Sequence, residues 1–203
     1  MVVGVSGGTG AGKTTFVEQL CSHFAKETVT VLPQDAYYHD NSHIPIAERK
    51  EKNFDHPDAI EWELLAAHIA LLQNGQYIHR PVYSMITCTR TKETVLTAPA
   101  NILIVEGILI FSQPEIRDLC SLKIFLDAGP DARYQRILQR DKQERGRNDA
   151  QVAERFIHTV QPMHVQFIEP AKKYADIIVT GGGYNKQALM QVHKLISNKI
   201  SLT

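Results

Sequence analysis

With 203 residues, 43% of them hydrophobic and 22% charged, the chain can bury a sizeable core and reads as one globular domain with room for a small insertion. Lys plus Arg and Asp plus Glu balance at 22 each, so no net field draws it to nucleic acid or to an anionic membrane; any anion site must be made locally. No apolar run approaches the roughly 18 residues that span a bilayer.

Met1 leads straight into an apolar run rather than a signal peptide. Cys21, Cys88 and Cys120 are far apart and form no C-x-x-C pair, which predicts a cytoplasmic protein without disulfides or a zinc site.

Val2–Val5 is the first of five short apolar runs, followed by Val29–Leu32, Ile102–Val105, Leu122–Leu126 and Ile177–Val179. Continuous rather than alternating runs suit parallel strands buried on both faces. Helical patterns lie between them. Phe16, Val17, Leu20 and Phe24 share one face, and Leu64, Leu65, Ile69 and Leu72 share another ahead of an Asn74-Gly75 stop. The alternation predicts an α/β fold, a parallel sheet flanked by helices with right-handed crossovers. Two stretches depart from it. Residues 76–97, rich in Thr, Val, Tyr and Ile with Pro81 inside, predict a β-hairpin insertion. Residues 131–158 are helical, charged and interrupted by Gly146.

Between the first strand and the first helix lies Gly7-Gly8-Thr9-Gly10-Ala11-Gly12-Lys13-Thr14, followed by Thr15. This is the P-loop pattern in its required strand-to-helix context, so the sheet is of P-loop NTPase type. The glycines let backbone N–H groups turn inward around phosphate oxygens, and the helix N-terminus adds its positive end. Lys13 can reach the β- and γ-phosphates of ATP, and the Thr14 hydroxyl can ligate Mg²⁺.

A P-loop binds nucleotide without choosing the reaction. Asp35 follows the second apolar run and Glu106 the third, and strand C-termini in an open α/β sheet line the ligand crevice. Asp35 is assigned as the base that takes a proton from an attacking hydroxyl, and both carboxylates as Mg²⁺ holders, directly or through water. The bland alternative for each is a helix cap or a surface charge. Arg136, Arg140, Arg145 and Arg147 lie in the charged stretch broken by Gly146. Mobile arginines can cover the charge of a transferring phosphoryl group, which makes this stretch a candidate lid. A solvated helix, its arginines in i,i+4 pairs with Asp141 and Glu144, is the competing reading.

Taken together the residues resemble the uridine–cytidine kinases, P-loop nucleoside kinases. The resemblance covers nearly the whole chain and rests on Gly4-Val5-Ser6-Gly7-Gly8-Thr9, Gln34-Asp35-Ala36-Tyr37-Tyr38, Asn53-Phe54-Asp55-His56-Pro57-Asp58-Ala59, Pro81-Val82-Tyr83-Ser84, Thr89-Arg90, Val105-Glu106-Gly107-Ile108-Leu109, Glu144-Arg145-Gly146-Arg147 and Lys173-Tyr174-Ala175-Asp176-Ile177. It implies ATP- and Mg²⁺-dependent phosphorylation of the 5′-hydroxyl of a pyrimidine ribonucleoside in salvage, by a homo-oligomer (dimer or tetramer) that needs neither nucleic acid nor membrane. By the same resemblance 76–97 holds the nucleoside and 131–158 is the lid. Asp55 is implied on the ribose hydroxyls, Tyr38 and Tyr83 on the nucleoside, Arg147 beside it, and Arg140 and Arg145 on the phosphates.

Departures cluster at the implied nucleoside pocket. Met85 stands where the family usually has an aromatic residue, and Cys88 where it often has a histidine that reads the base. Ile137 replaces an arginine beside Arg136, Arg155 replaces a glutamine near the ribose, and Thr180-Gly181-Gly182 replaces Pro-Arg-Gly near the adenine. A thiol is a weak hydrogen-bonding group, so base selection is expected to be relaxed or redirected, with Arg155 as a replacement donor.

Two other readings compete. One keeps the kinase and changes the acceptor to another nucleoside, sugar or ribosyl compound. The other is a catalytically silent nucleotide-binding protein. Against a guanine-nucleotide switch, Asn185-Lys186-Gln187-Ala188 misses the guanine signature at its last position; against a silent protein, Lys13, Thr14, Asp35 and Glu106 are all present. His56 and Trp62 are expected to serve packing and turns.

Overall fold

The computed structural model describes residues 1–200. In chain order the strands are β1 (Val2–Gly7), β2 (Val29–Pro33), β3 (Ile78–Ser84), β4 (Thr89–Thr97), β5 (Ile102–Glu106), β6 (Leu122–Leu126) and β7 (Ile177–Val179). The helices are α1 (Lys13–Cys21), α2 (Ile46–Lys50), α3 (Trp62–Gln73), α4 (Pro114–Arg117), α5 (Pro130–Glu144), α6 (Asp149–Arg155), α7 (Gln161–Met163) and α8 (Lys186–Ile200). From α6 the backbone stays helical to Tyr174, through π turns on either side of α7 and a final 3₁₀ turn.

Five strands form one sheet in the order β2-β5-β1-β6-β7, every neighbouring pair parallel. The expected runs are all strands, β1 extending by two residues and β2 and β5 by one each toward the site. Alternate side chains of the buried strands feed two cores. Val2, Leu103, Val105 and Phe125 pack with Leu65, Ile69 and Leu72 of α3. Val3, Val5, Ile104 and Ile124 pack with Phe16 and Leu20 of α1 and with Val192 and Ile196 of α8. Phe24, expected on α1, lies past its end and stacks on His193, ring centroids 4.8 Å apart.

β3 and β4 pair antiparallel, with a bulge between Pro81 and Tyr83, as the hairpin expected over 76–97. Its turn end is tied down by Arg90, whose Nη2 lies 2.5 Å from Glu61, and by the backbone N–H of Asn41 donating to Thr89 Oγ1 at 3.2 Å. At Gly75, φ is +75°, which only glycine adopts freely, and α3 stops there. Gly146, at φ +63°, makes the break expected between α5 and α6. A third small core, Ile137, Val152 and Val160, joins these two helices.

Candidate active site

Parallel register brings three strand ends together. Glu106, last in β5, sits opposite Val5 of β1 on one side and Pro33 of β2 on the other. Asp35 is two residues past that proline. The phosphate loop follows β1, so the loop and both carboxylates converge at the C-terminal edge of the sheet.

The loop is held from outside by backbone. At Gly10, φ is +80°, and a Cβ there would lie 2.6 Å from the carbonyl oxygen of Arg133; at Gly12, φ is +96°, and a Cβ would lie 2.9 Å from the N of Gly183. Lys13 donates from Nζ to the carbonyls of Gly7 and Gly8 at 3.1 and 3.2 Å. Arg136 donates to the carbonyls of Gly10 and Ala11 at 3.0 and 3.2 Å, while its guanidinium lies over Gly182. The Gly181–Gly183 turn thus closes on the loop.

A cavity of about 340 Å³ opens over this edge. Thr9, Gly10, Gly12, Lys13, Thr14 and Thr15 line one end, with Asp35 and Glu106 on its floor. Arg136, Arg140, Arg145, Arg147 and Arg155 form one wall, and Tyr38, Phe54, Met85 and Cys88 the far end, with Asp55 between that end and Thr9 of the loop. Gly7, Gly8 and Ala11 shape the loop without reaching the cavity.

The charges are mutually perturbed. Burial pulls the Lys13 ammonium below its ordinary value, against the pull of Glu106 and Asp35. Burial pushes Glu106 up to about 7, Lys13 opposing it and Asp35 adding to it. Water reaches Asp35 through the cavity mouth, yet the protein around it still lifts its carboxyl above the usual range, against Lys13, Arg145 and Arg140. A carboxyl raised toward neutrality is suited to taking a proton.

Two carboxylates and a hydroxyl (Glu106, Asp35, Thr14) are an all-oxygen set in the cavity. Among the described residues no cluster of three or more His, Cys, Asp or Glu could hold a metal alone. That combination fits Mg²⁺, which is held by one or two carboxylates together with substrate phosphates.

The far end is more tightly pre-paired than the sequence suggests. Asp55 is buried, accepts from Thr9 Oγ1 at 2.9 Å and from Arg155 Nη2 at 2.6 Å, and so links the phosphate loop to α6. Arg155 Nη1 is buried without a protein partner. Tyr38 lines the cavity and donates to the carbonyl of Phe54 at 3.1 Å. Tyr83, expected on the nucleoside, stands behind it instead. Its ring packs 5.0 Å from that of Tyr38, and its hydroxyl is buried beside the side chain of Asn41. Cys88 is the one non-glycine with positive φ among the described residues, +51°, and its thiol faces the carbonyl of Met85 at 3.5 Å. Ile137, expected near substrate, is instead core, 1% exposed.

The arginine stretch is not a solvated helix. Asp141 is fully buried and its carboxylate is shared by Arg140, Arg145 and Arg147. Sequence reasoning missed this hub and missed Arg133, also buried, whose Nη2 donates to Gln161 Oε1 at 2.5 Å. The one signal was spacing: Arg133, Ile137 and Asp141 lie four apart on the buried face of α5. His56 caps a turn by accepting from the Asp58 N–H, and the Trp62 indole donates to the Pro57 carbonyl at 2.9 Å.

Residues 2–188 match the model of the phosphoribulokinase / uridine kinase family. The chain belongs to that family. Curated relatives named uridine kinase include those of Clostridium tetani, 44% identical, and Listeria monocytogenes, 43% identical, each match covering 93% of this chain and 90% of the relative. Among solved structures, phosphoribulokinase from Rhodobacter sphaeroides superposes with a TM-score of 0.63 at 16% identity, over 88% of this chain and 69% of that one. D-glycerate 3-kinase from Cryptococcus neoformans gives 0.62 at 18%, over 89% and 86%. These two likenesses establish the fold, a P-loop kinase sheet; the family establishes a kinase that takes a phosphate from a nucleotide. No helix among the described residues is long and apolar enough to cross a membrane.

Proposed function

We propose that the chain is a uridine/cytidine kinase, transferring the γ-phosphoryl group of ATP to the 5′-hydroxyl of a pyrimidine ribonucleoside in salvage. The observation that carries this is the single cavity running from the phosphate loop, past Asp35 and Glu106, to an end lined by Tyr38, Phe54 and Asp55. It has a donor end, an acceptor end and a carboxylate between them. The uridine kinases at 43–44% identity supply the acceptor class.

In this reading the acceptor hydroxyl oxygen attacks the γ-phosphorus, the bond to the β–γ bridging oxygen breaks, and the hydroxyl proton passes to Asp35. Lys13 and the loop N–H groups hold the β- and γ-phosphates, Arg136 and the Gly181–Gly183 turn border the adenosine side, and Arg140 and Arg145 face the transferred group. Thr14, Glu106 and Asp35 would hold Mg²⁺, which supplies charge neutralisation and orientation of the phosphates when bound. Asp55 and Arg155 meet the ribose, Cys88 and Met85 border the base, and Arg147 closes over the nucleoside. Residues 76–97 thus serve as the nucleoside-binding insertion and 131–158 as the lid.

The proposal extends to a cytoplasmic homo-oligomer, for which the exposed Tyr77 and Leu96 on the hairpin give apolar surface. Gel filtration checks that part. The test of function is ADP release with ATP and Mg²⁺ over uridine, cytidine, adenosine, guanosine and free ribose. Turnover confined to the pyrimidine ribonucleosides is expected; turnover of a purine nucleoside or a free sugar alone would replace this acceptor by another.

A further inference from the structure

Phosphoryl transfer needs cations placed over the migrating group before it moves, because a charge that must first reorganise gives little stabilisation. The cavity wall supplies them on an unstable arrangement: three guanidinium groups in the two turns around Gly146. Like charges this close repel, and long arginine side chains lose rotamer freedom when held. Something must hold them.

Asp141 does so at every level. Its Oδ1 accepts from Nε and Nη2 of Arg140 at 2.9 and 2.8 Å and lies 3.6 Å from Nε of Arg145. Its Oδ2 accepts from Nη1 of Arg147 at 2.5 Å. Its backbone carbonyl accepts the N–H groups of both Arg145 and Arg147, at 3.2 and 3.1 Å, which folds the Gly146 turn back toward α5. The side chain has only 1% exposure, while those of the three arginines retain 19–31% and all three line the cavity. Burial pushes the Asp141 carboxyl up, but Arg140 and Arg145 outweigh it and hold it below the usual range, so it stays charged. One carboxylate against three guanidinium groups leaves two positive charges in excess, turned to the cavity.

We propose that Asp141 is a positioning residue for the phosphoryl-transfer step: it holds Arg140, Arg145 and Arg147 at the cavity wall and sets where their excess charge meets the migrating phosphoryl group. This rests on the kinase reading above and assigns to that site a residue that touches neither substrate. Asp141 also competes with phosphate oxygens for the same N–H groups. Its removal should therefore leave ground-state ATP binding intact while misplacing the arginines in the transition state, a loss read in kcat.

The experiment is Asp141→Asn in the full chain, which keeps shape and removes charge. Its kcat should fall about 10–100-fold, the usual effect of losing a group that orients ligating residues. The Kd for ATP, by calorimetry, should stay within about threefold or tighten. In an Arg140→Met background the same substitution should cost much less, because its route is already gone. Should Asp141→Asn not fold, Asp141→Glu keeps the charge on a longer arm and should lower kcat more than about threefold at unchanged Kd. Parental kcat in either folded variant, or an undiminished loss in the Arg140→Met background, overturns the proposal. So does a fall in kcat matched by loss of ATP binding. Parental turnover of uridine tests the kinase reading separately. The variant-to-parent ratio is taken on whichever acceptor is used, or on slow ATP hydrolysis if none is.

Discussion

At its donor end the cavity is walled by backbone, and at its acceptor end by side chains. The phosphate loop is fixed by glycines packed on other main chain, Gly10 on the Arg133 carbonyl and Gly12 on Gly183, and it stands on the central strand of the sheet, which is buried along its whole length. The acceptor end is assembled from the segment after β2, the β3–β4 hairpin and α6, three pieces that meet only in the tertiary fold. Backbone cannot be changed by substitution without breaking the loop; side chains can. The acceptor end also holds a buried polar atom without a protein partner, Arg155 Nη1, whereas the phosphate loop holds none. A buried donor left unpaired costs about 1–3 kcal/mol, and one on a residue that lines the cavity can be completed by a ligand. The donor end is built for one ligand shared by many kinases, and the acceptor end can drift toward another.

The largest expected effect lies between the two ends. Asp35→Asn removes the proposed proton acceptor and keeps the shape, so kcat should fall about 10²–10⁴-fold. ATP affinity by calorimetry should change little, since the loop, Lys13 and Thr14 are untouched. Parental turnover in this variant would move the base elsewhere and dissolve the contrast between a binding end and a reacting centre.

How much of this could be read beforehand follows the same division. The three inner strands showed as continuous apolar runs because burial on both faces demands them, the part-buried edge strands β2 and β7 showed by the same pattern, and the loop showed because its chemistry is local in sequence. Asp35 and Glu106 were legible from their places after two of those runs. The Asp55–Arg155 pair, one hundred positions apart, left no local trace. Asp141 entered only as an i,i+4 partner in the competing solvated-helix reading, because helical periodicity carries no sign of the Gly146 turn that returns Arg147 to it. Tyr83 was misplaced because a strand residue's neighbours depend on the hairpin's bulge and on Tyr38 in front of it.

Arg155 sharpens the comparison next. Its partner Asp55 is 4% exposed, and removing one member of a buried pair strands the other charge, at a cost of about 3–5 kcal/mol for a fully buried pair. Arg155 itself is 20% exposed, so Arg155→Met should cost less, about 2 kcal/mol, read as a lowered denaturation midpoint. Arg155→Gln, which keeps a donor, should be milder. Both should raise the KM for the nucleoside more than that for ATP. An equal rise in both would mean that the Thr9–Asp55–Arg155 chain of hydrogen bonds ties the two ends into one unit rather than marking their border.

The smallest effect concerns Cys88, where backbone and chemistry point the same way. Its φ of +51° is a left-handed conformation in which histidine and asparagine are enriched several-fold and most other side chains are strained. The thiol gains little from it: its contact is a weak 3.5 Å approach to the Met85 carbonyl, beside a cavity that a stronger hydrogen-bonding group could reach. Cys88→His should therefore be accepted by the fold. It would place a ring N–H and a ring acceptor on the cavity side where the proposed nucleoside's base would pass. One net hydrogen bond contributes about 0.5–1.5 kcal/mol, so the ratio of kcat/KM for uridine and cytidine should move by about 2–10-fold from its parental value, with ATP parameters unchanged. A ratio that does not move would mean the base never reaches position 88, and that selection lies with Met85, Phe54 and Arg147 instead.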